Sequence, residues 1–175
     1  DAQASTLWMR AHHQLIDQGN VERAARLGFW LSLSLLLTGE MARSTGWLAR
    51  SERLLKDRKD ACVEHGYGLI VTGLLAMGKG SAGDAGASFN QALALAERFG
   101  DLDLLALGLL GKGQSLIQSN NIADGVARLD EAMVAATAGR VSPVLTGIIY
   151  CAGILTCQRI FGLRRSREWT AQLDA

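Results

Sequence analysis

The 175 residues carry 49% hydrophobic and 20% charged side chains and a net charge of +1. These values fit one globular domain with a core and exclude wholesale disorder; the small net charge gives no footprint for nucleic acid or a membrane surface. A single Pro in an Ala- and Leu-rich chain favours long helices over strands.

In chain order, helices are expected at 5–18, 21–38, 41–56, 62–78, 82–99, 102–119, 122–138, 143–161 and 163–173. The first carries Ala4, Trp8 and Ala11, a small–bulky–small pattern, and the adjacent pair His12 and His13. Those two histidines point to different faces, so they are read as structural rather than as a metal pair. The second holds the longest apolar run, 27–37, which is too short to span a bilayer and is interrupted by Ser32 and Ser34. Trp47, between Arg43 and Arg50, repeats only the bulky position. The charged run Lys56-Asp57-Arg58-Lys59-Asp60 reads as a connection holding two extra residues.

From there the pattern is regular. Gly73, Gly113 and Gly153 recur every 40 residues, and sixteen residues after each stands Phe89, Leu129 or Trp169. A small residue on one helix lets the bulky residue of its partner approach, and two paired helices cannot bury their apolar faces alone. Gly19, Gly39, Gly100, Gly139 and Gly162 fall where helices should end in a left-handed residue. Ser81, Asp101, Asn121 and Ser142-Pro143 fall where helices should start. The expected fold is all-α: one right-handed superhelical solenoid of antiparallel helix pairs, about nine helices, with repeats at 1–19, 20–60, 61–100, 101–140 and 141–175.

Gly73, Ala85, Phe89 and Ala92 resemble the tetratricopeptide consensus of Gly, Ala, aromatic and Ala. Gly113, Leu129 and Ala132, and then Gly153 and Trp169, follow it more loosely, without the family's Pro and with a period about six residues longer. A narrower resemblance runs through Arg23-Ala24-Ala25-Arg26, Phe29-Trp30-Leu31, Gly39-Glu40-Met41-Ala42, Gly46-Trp47-Leu48-Ala49-Arg50, Glu97-Arg98-Phe99-Gly100-Asp101, Leu129-Asp130-Glu131-Ala132-Met133-Val134 and Arg167-Glu168-Trp169-Thr170. These stretches look like the helical repeat region of LuxR-type bacterial transcriptional regulators. That resemblance implies a sensor or oligomerisation region, with DNA bound only by a domain outside this segment. The chain opens on Asp1, which we read as the start of a piece of a longer protein.

The chemical motifs are weak. Gly73-Leu74-Leu75-Ala76-Met77-Gly78-Lys79-Gly80 approaches a phosphate loop, but Gly80 stands where a hydroxyl must reach magnesium. A nucleotide-binding enzyme built on Gly73 to Gly80, with a strand at 67–71, is the alternative reading; a purely structural spacer is another. Gly78, Gly80 and Gly83 spell a dinucleotide motif without its strand–turn–helix setting. Cys62 and His65 lack a second ligand pair, and the odd set Cys62, Cys151 and Cys157 reads as reduced thiols of a cytoplasmic protein. No catalytic residue, metal or cofactor is called for. Arg164-Arg165-Ser166-Arg167 reads as a solvated face, with an acidic partner or DNA as the other option.

The first helix of each pair should line a concave groove. The register places Tyr67, Ile70, Leu74 and Met77 there, then Leu107, Leu110, Gln114 and Ile117, then Tyr150, Ile154 and Cys157. Lys79 and Lys112 are its nearest cations, with Lys112 facing a neighbouring helix. So apolar a surface is expected to be covered: by another part of the same protein, a homo-oligomer mate, an amphipathic helix of a partner protein, or a hydrophobic small-molecule effector.

Overall fold

A computed structural model describes residues 2–56 and 61–173, with side chains for residues 6–172 of those ranges. The charged connection at 57–60 and the Ala4 side chain lie outside the described residues. Nine helices and no strand occur among those described: α1 (Ala2–Asp17), α2 (Val21–Leu37), α3 (Met41–Leu55), α4 (Val63–Gly78), α5 (Ala82–Phe99), α6 (Leu102–Gln118), α7 (Ile122–Thr137), α8 (Pro143–Arg159) and α9 (Leu163–Leu173). None is long and apolar enough to cross a membrane. Residues 67–71 lie inside α4, so the strand required by the nucleotide alternative is a helix.

Seven helices stop by one device. The backbone N–H of Asn20, Glu40, Ser81, Asp101, Asn121, Arg140 and Gly162 each reaches back five residues to a carbonyl of the last turn, at 2.8–3.3 Å. The residue before each donor adopts positive φ, which turns the chain out of the helix and satisfies carbonyls that would otherwise be orphaned. Gly19, Gly39, Gly80, Gly100 and Gly139 fill five of these positions, Asn120 (φ 64°) the sixth and Phe161 (φ 57°) the seventh. Gly162 is therefore not the left-handed residue expected from the sequence; its N–H instead donates to Cys157 O at 2.8 Å. Of the expected start signals, Asp101 caps with its side chain, accepting from Leu104 N–H at 2.8 Å. Ser81, Asn121 and Ser142 precede their helices without a side-chain cap bond. Ser142 is followed by Pro143 at the first helical position, where a missing N–H costs nothing.

The chain forms two compact units, Asp1–Val71 and Thr72–Ala175, with the boundary inside α4. In the first, α2 packs against α1 and α3 and buries Ala24, Ala25, Phe29, Leu31, Leu33 and Leu35. The Phe29 ring meets Tyr67 at 4.9 Å. Gly28 lies so close to Ser51 of α3 that a Cβ would overlap its hydroxyl. One turn on, Ser32 Oγ donates to Ser44 O and Ser44 Oγ donates to Ser32 O, each at 2.8 Å and fully buried. The serines that interrupt the apolar run thus bond across the α2–α3 contact. Trp8 and Trp47, the expected upstream knobs, are only half-buried.

In the second unit the small–bulky pairing is sterically tight. A Cβ on Gly73 would lie 2.7 Å from the Phe89 ring, one on Gly113 2.9 Å from Leu129, and one on Gly153 3.1 Å from Trp169. Phe89 and Leu129 are essentially inaccessible, and Trp169 is 7% exposed. Gly111 of α6 closes on the same Phe89 ring, and Gly125 of α7 abuts the Gly113 backbone, its Cβ position 2.7 Å from Gly113 O. Successive pairs are also tied by polar bonds. Ser142 N–H donates to Asp103 Oδ1 at 2.8 Å, and Arg165 of α9 grips Asp130 of α7 through Nε and Nη2 at 3.0 and 2.9 Å.

Two outcomes follow from this packing. Gly111→Ala should lower stability by about 1–3 kcal/mol in urea unfolding, since the buried ring has little room to retreat. Adding Phe89→Leu should recover part of that loss, a coupling that a double-mutant cycle reads directly. Phe161→Gly should raise stability by about 0.5–1 kcal/mol in thermal melts, the left-handed cost of an L side chain less the unfolded-state entropy of Gly.

Candidate functional site

The expected groove residues separate by burial. Tyr67 (1% exposed), Ile70 (2%), Leu107 (4%), Leu110 (5%) and Tyr150 (5%) are core, too enclosed to touch a partner without repacking. Cys157 is fully buried as well, and burial pushes its thiol pKa up, which keeps it protonated. Leu74, Met77, Gln114, Ile117 and Ile154 are half-buried. Leu107 and Leu110 are closed off because α6 packs against α5, α7 and α8 and keeps little free face.

Three of the half-buried residues do meet. Met77 at the end of α4, Gln114 and Ile117 of α6, and Thr156 and Ile160 at the end of α8 line a depression of about 420 Å³. Gln114 Nε2 donates to Thr156 Oγ1 at 3.1 Å, and that hydroxyl donates to Ala152 O at 2.7 Å. Gln118 Nε2 donates to Met77 O at 3.1 Å. The two glutamine Oε1 atoms have no partner among the described residues, so the site offers amide acceptors on an apolar floor. Exposed Arg159 also lines it. Gln118, Thr156, Arg159 and Ile160 are absent from the expected set. Gln118 is one turn beyond Gln114 on the same helix stripe, and that spacing alone would have found it.

The other sequence candidates resolve as follows. The segment from Gly73 to Gly78 is helical, and the N–H groups of Lys79 and Gly80 bond back to Leu75 O and Met77 O. The amides that a phosphate loop aims at its ligand are spent inside the helix and its terminal turn. Lys112 faces α5: its Nζ lies 3.4 Å from a Cβ placed on Gly86. Cys62 Sγ lies 3.3 Å from His65 Nδ1, and burial raises that thiol pKa. Among the described residues no group of three His, Cys, Asp or Glu is placed to hold a metal.

His12 is fully buried, unlike its exposed neighbour His13. Its Nε2 lies 3.2 Å from Arg50 Nε–H, which only donates; Nε2 therefore accepts, and Nδ1 carries the proton to Ala24 O at 2.8 Å. The Trp47 ring stands edge-on at 5.0 Å. Burial, then the charges of Arg50 and His13, pull the His12 pKa below its ordinary 6.5, against the pull of the Ala24 carbonyl. No protein-family model matches the chain, and no curated protein or solved structure shows significant similarity to it.

The His12 arrangement sets a pH dependence. Between the lowered folded value and 6.5 the unfolded chain binds a proton that the fold excludes. The His12 contribution to stability is therefore complete above 6.5 and is lost as pH falls from there through the folded value. The urea midpoint should drop between about pH 7.5 and about pH 5. In His12→Gln, whose amide can donate to Ala24 O and accept from Arg50 without titrating, the drop should be smaller.

Proposed function

We propose that the chain is a non-catalytic protein-interaction scaffold: a right-handed superhelical array of tetratricopeptide-like helix pairs that serves as the sensor or oligomerisation region of a LuxR-type transcriptional regulator. The observation that carries the scaffold reading is the depression at Gln114. Three helices that each open a pair contribute to it, so a partner bound there would contact several repeats at once. Its chemistry suits an amphipathic helix: Met77, Ile117 and Ile160 offer apolar contact, Met77 adapts its shape to the occupant, and Gln114, Gln118 and Arg159 supply polar contacts at the rim. Support for the regulator reading comes from the local sequence likeness, and DNA contact belongs to a domain outside this segment. A cytoplasmic setting fits the three thiols, none of which is in a disulfide.

Met77→Glu and Ile160→Glu test the reading without touching Ile117, which packs on Gly125. Helical peptides selected from a display library against the native chain should lose about tenfold or more in affinity for each variant, with helicity and melting temperature kept. Undiminished binding to both variants would overturn the assignment of this groove. Mg-ATP should leave the melting temperature unchanged; a saturable rise would favour the nucleotide alternative.

A further inference from the structure

The corner between α8 and α9 holds a residue that the fold does not account for. Phe161 occupies the left-handed position of a helix-ending turn that is otherwise made with Gly or Asn. An L side chain is strained there, and a bulky one is a genuine outlier. Burial does not compensate, because Phe161 is 86% exposed. Leu155 (60%) and Leu163 (54%) are also exposed to either side of it in the chain. Strain combined with apolar exposure points to an external partner.

Two shallow troughs adjoin at Gln158 on this edge. One, of about 550 Å³, is lined by Gln114, Ala152, Leu155, Thr156, Gln158 and Arg159. The second, of about 510 Å³, includes Gln158, Leu163, Ser166 and Arg167. Residues 159–168 contain four arginines and one glutamate in a chain of net charge +1, so the positive charge is concentrated here. Arg165 is committed to Asp130. Arg164 meets Glu168 only loosely, at 3.8 Å and largely in solvent. Arg159 and Arg167 have no ion-pair partner among the described residues, and one borders each trough.

We propose that the α8–α9 edge is a docking surface for an acidic amphipathic helix. Its apolar side would sit on Leu155, Phe161 and Leu163, and its carboxylates would meet Arg159 and Arg167. The troughs favour a helix over a lipid surface, since a bilayer cannot enter a depression whereas a helix presents a ridge to it. The three large apolar side chains favour it over nucleic acid, whose contacts are dominated by phosphate. The inference rests on the scaffold reading and names a partner for it; the surface shares Gln114, Thr156 and Arg159 with the depression but leaves out Met77 and Ile117.

The test uses the whole chain and a labelled helical peptide with Glu along one side and Leu along the other, with its Lys-for-Glu counterpart, followed by fluorescence anisotropy. The acidic peptide should bind about tenfold or more tightly than the basic one. The double variant Arg159→Gln/Arg167→Gln should weaken it about tenfold, and Phe161→Gly about fivefold with no loss of melting temperature, so that misfolding is not the cause. Met77→Glu should weaken this binding less than either of those changes, since Met77 borders only the neighbouring depression. Equal affinity for the two peptides overturns the proposal. So does indifference to the arginine and Phe161 variants, or tighter binding to anionic phosphatidylserine vesicles or to duplex DNA than to the acidic peptide. Loss of the peptide in Met77→Glu alone overturns this placement and leaves the scaffold reading standing.

Discussion

The second unit depends on the fit of one phenyl ring. Phe89 lies against both Gly73 of α4 and Gly111 of α6, and neither glycine position has room for a methyl group. Gly in a helix interior gives up about 0.5–1 kcal/mol of intrinsic stability. Here that cost allows a fully buried aromatic ring to lie against two helix backbones. Full burial of such a side chain contributes about 1.5–3 kcal/mol, which offsets the roughly 1–2 kcal/mol of the two glycines together. The ring also fixes register, because sliding α5 by one residue would swing it off both glycines.

The same rule, with different residues, builds the rest of that unit. Leu129 replaces the ring at Gly113, and the room left by its smaller side chain is taken up by the Gly113–Gly125 backbone approach. Trp169 at Gly153 is larger and stands further off, with Met133 sulfur 3.6 Å from the same Cβ position. Small variations in knob size are absorbed by helix separation and by a deformable Met. A 40-residue period survives this because the contact needs a small residue opposite a large one rather than any particular pair.

That tolerance explains what was legible in the sequence. Gly73, Gly113 and Gly153 with their knobs are a pattern of size at fixed spacing, and size and spacing are what a sequence displays. Helix ends were legible for the same reason at Gly19, Gly39, Gly100 and Gly139, and a helix start at Asp101. Phe161 was not, since no propensity argument places Phe at positive φ, and the adjacent Gly162 offered a better candidate. The groove was half legible. The register located Met77, Gln114 and Ile117, but periodicity does not say how many neighbours a helix has. Leu107 and Leu110 share the helix with Gln114 and are closed off by packing on other sides of it. The Gly28–Ser51 and Ser32–Ser44 contacts were hidden by chemistry: small polar residues in an apolar helix read as interruptions until their partners are known.

The two units therefore set register with different emphasis, although Gly28 against Ser51 is a steric contact in the first and Asp103 and Asp130 make polar ties in the second. In the second, steric exclusion at glycines selects the alignment, and steric exclusion does not change with pH. In the first, the Gly28–Ser51 contact is joined by polar bonds between α1, α2 and α3: Ser32 with Ser44 and His12 with Ala24 O, all buried, and His12 with Arg50, part-buried. A buried bond of this kind specifies strongly because a slipped register leaves its groups unsatisfied, at about 1–3 kcal/mol each. It is also conditional on protonation. A second proton on His12 would set Nε2–H against Arg50 Nε–H, placing two donors 3.2 Å apart on two positively charged groups at a part-buried contact. The helix that carries His12 is thereby the one whose attachment depends on pH, whereas the Phe89 contact, with no titratable group in it, is not exposed to that loss.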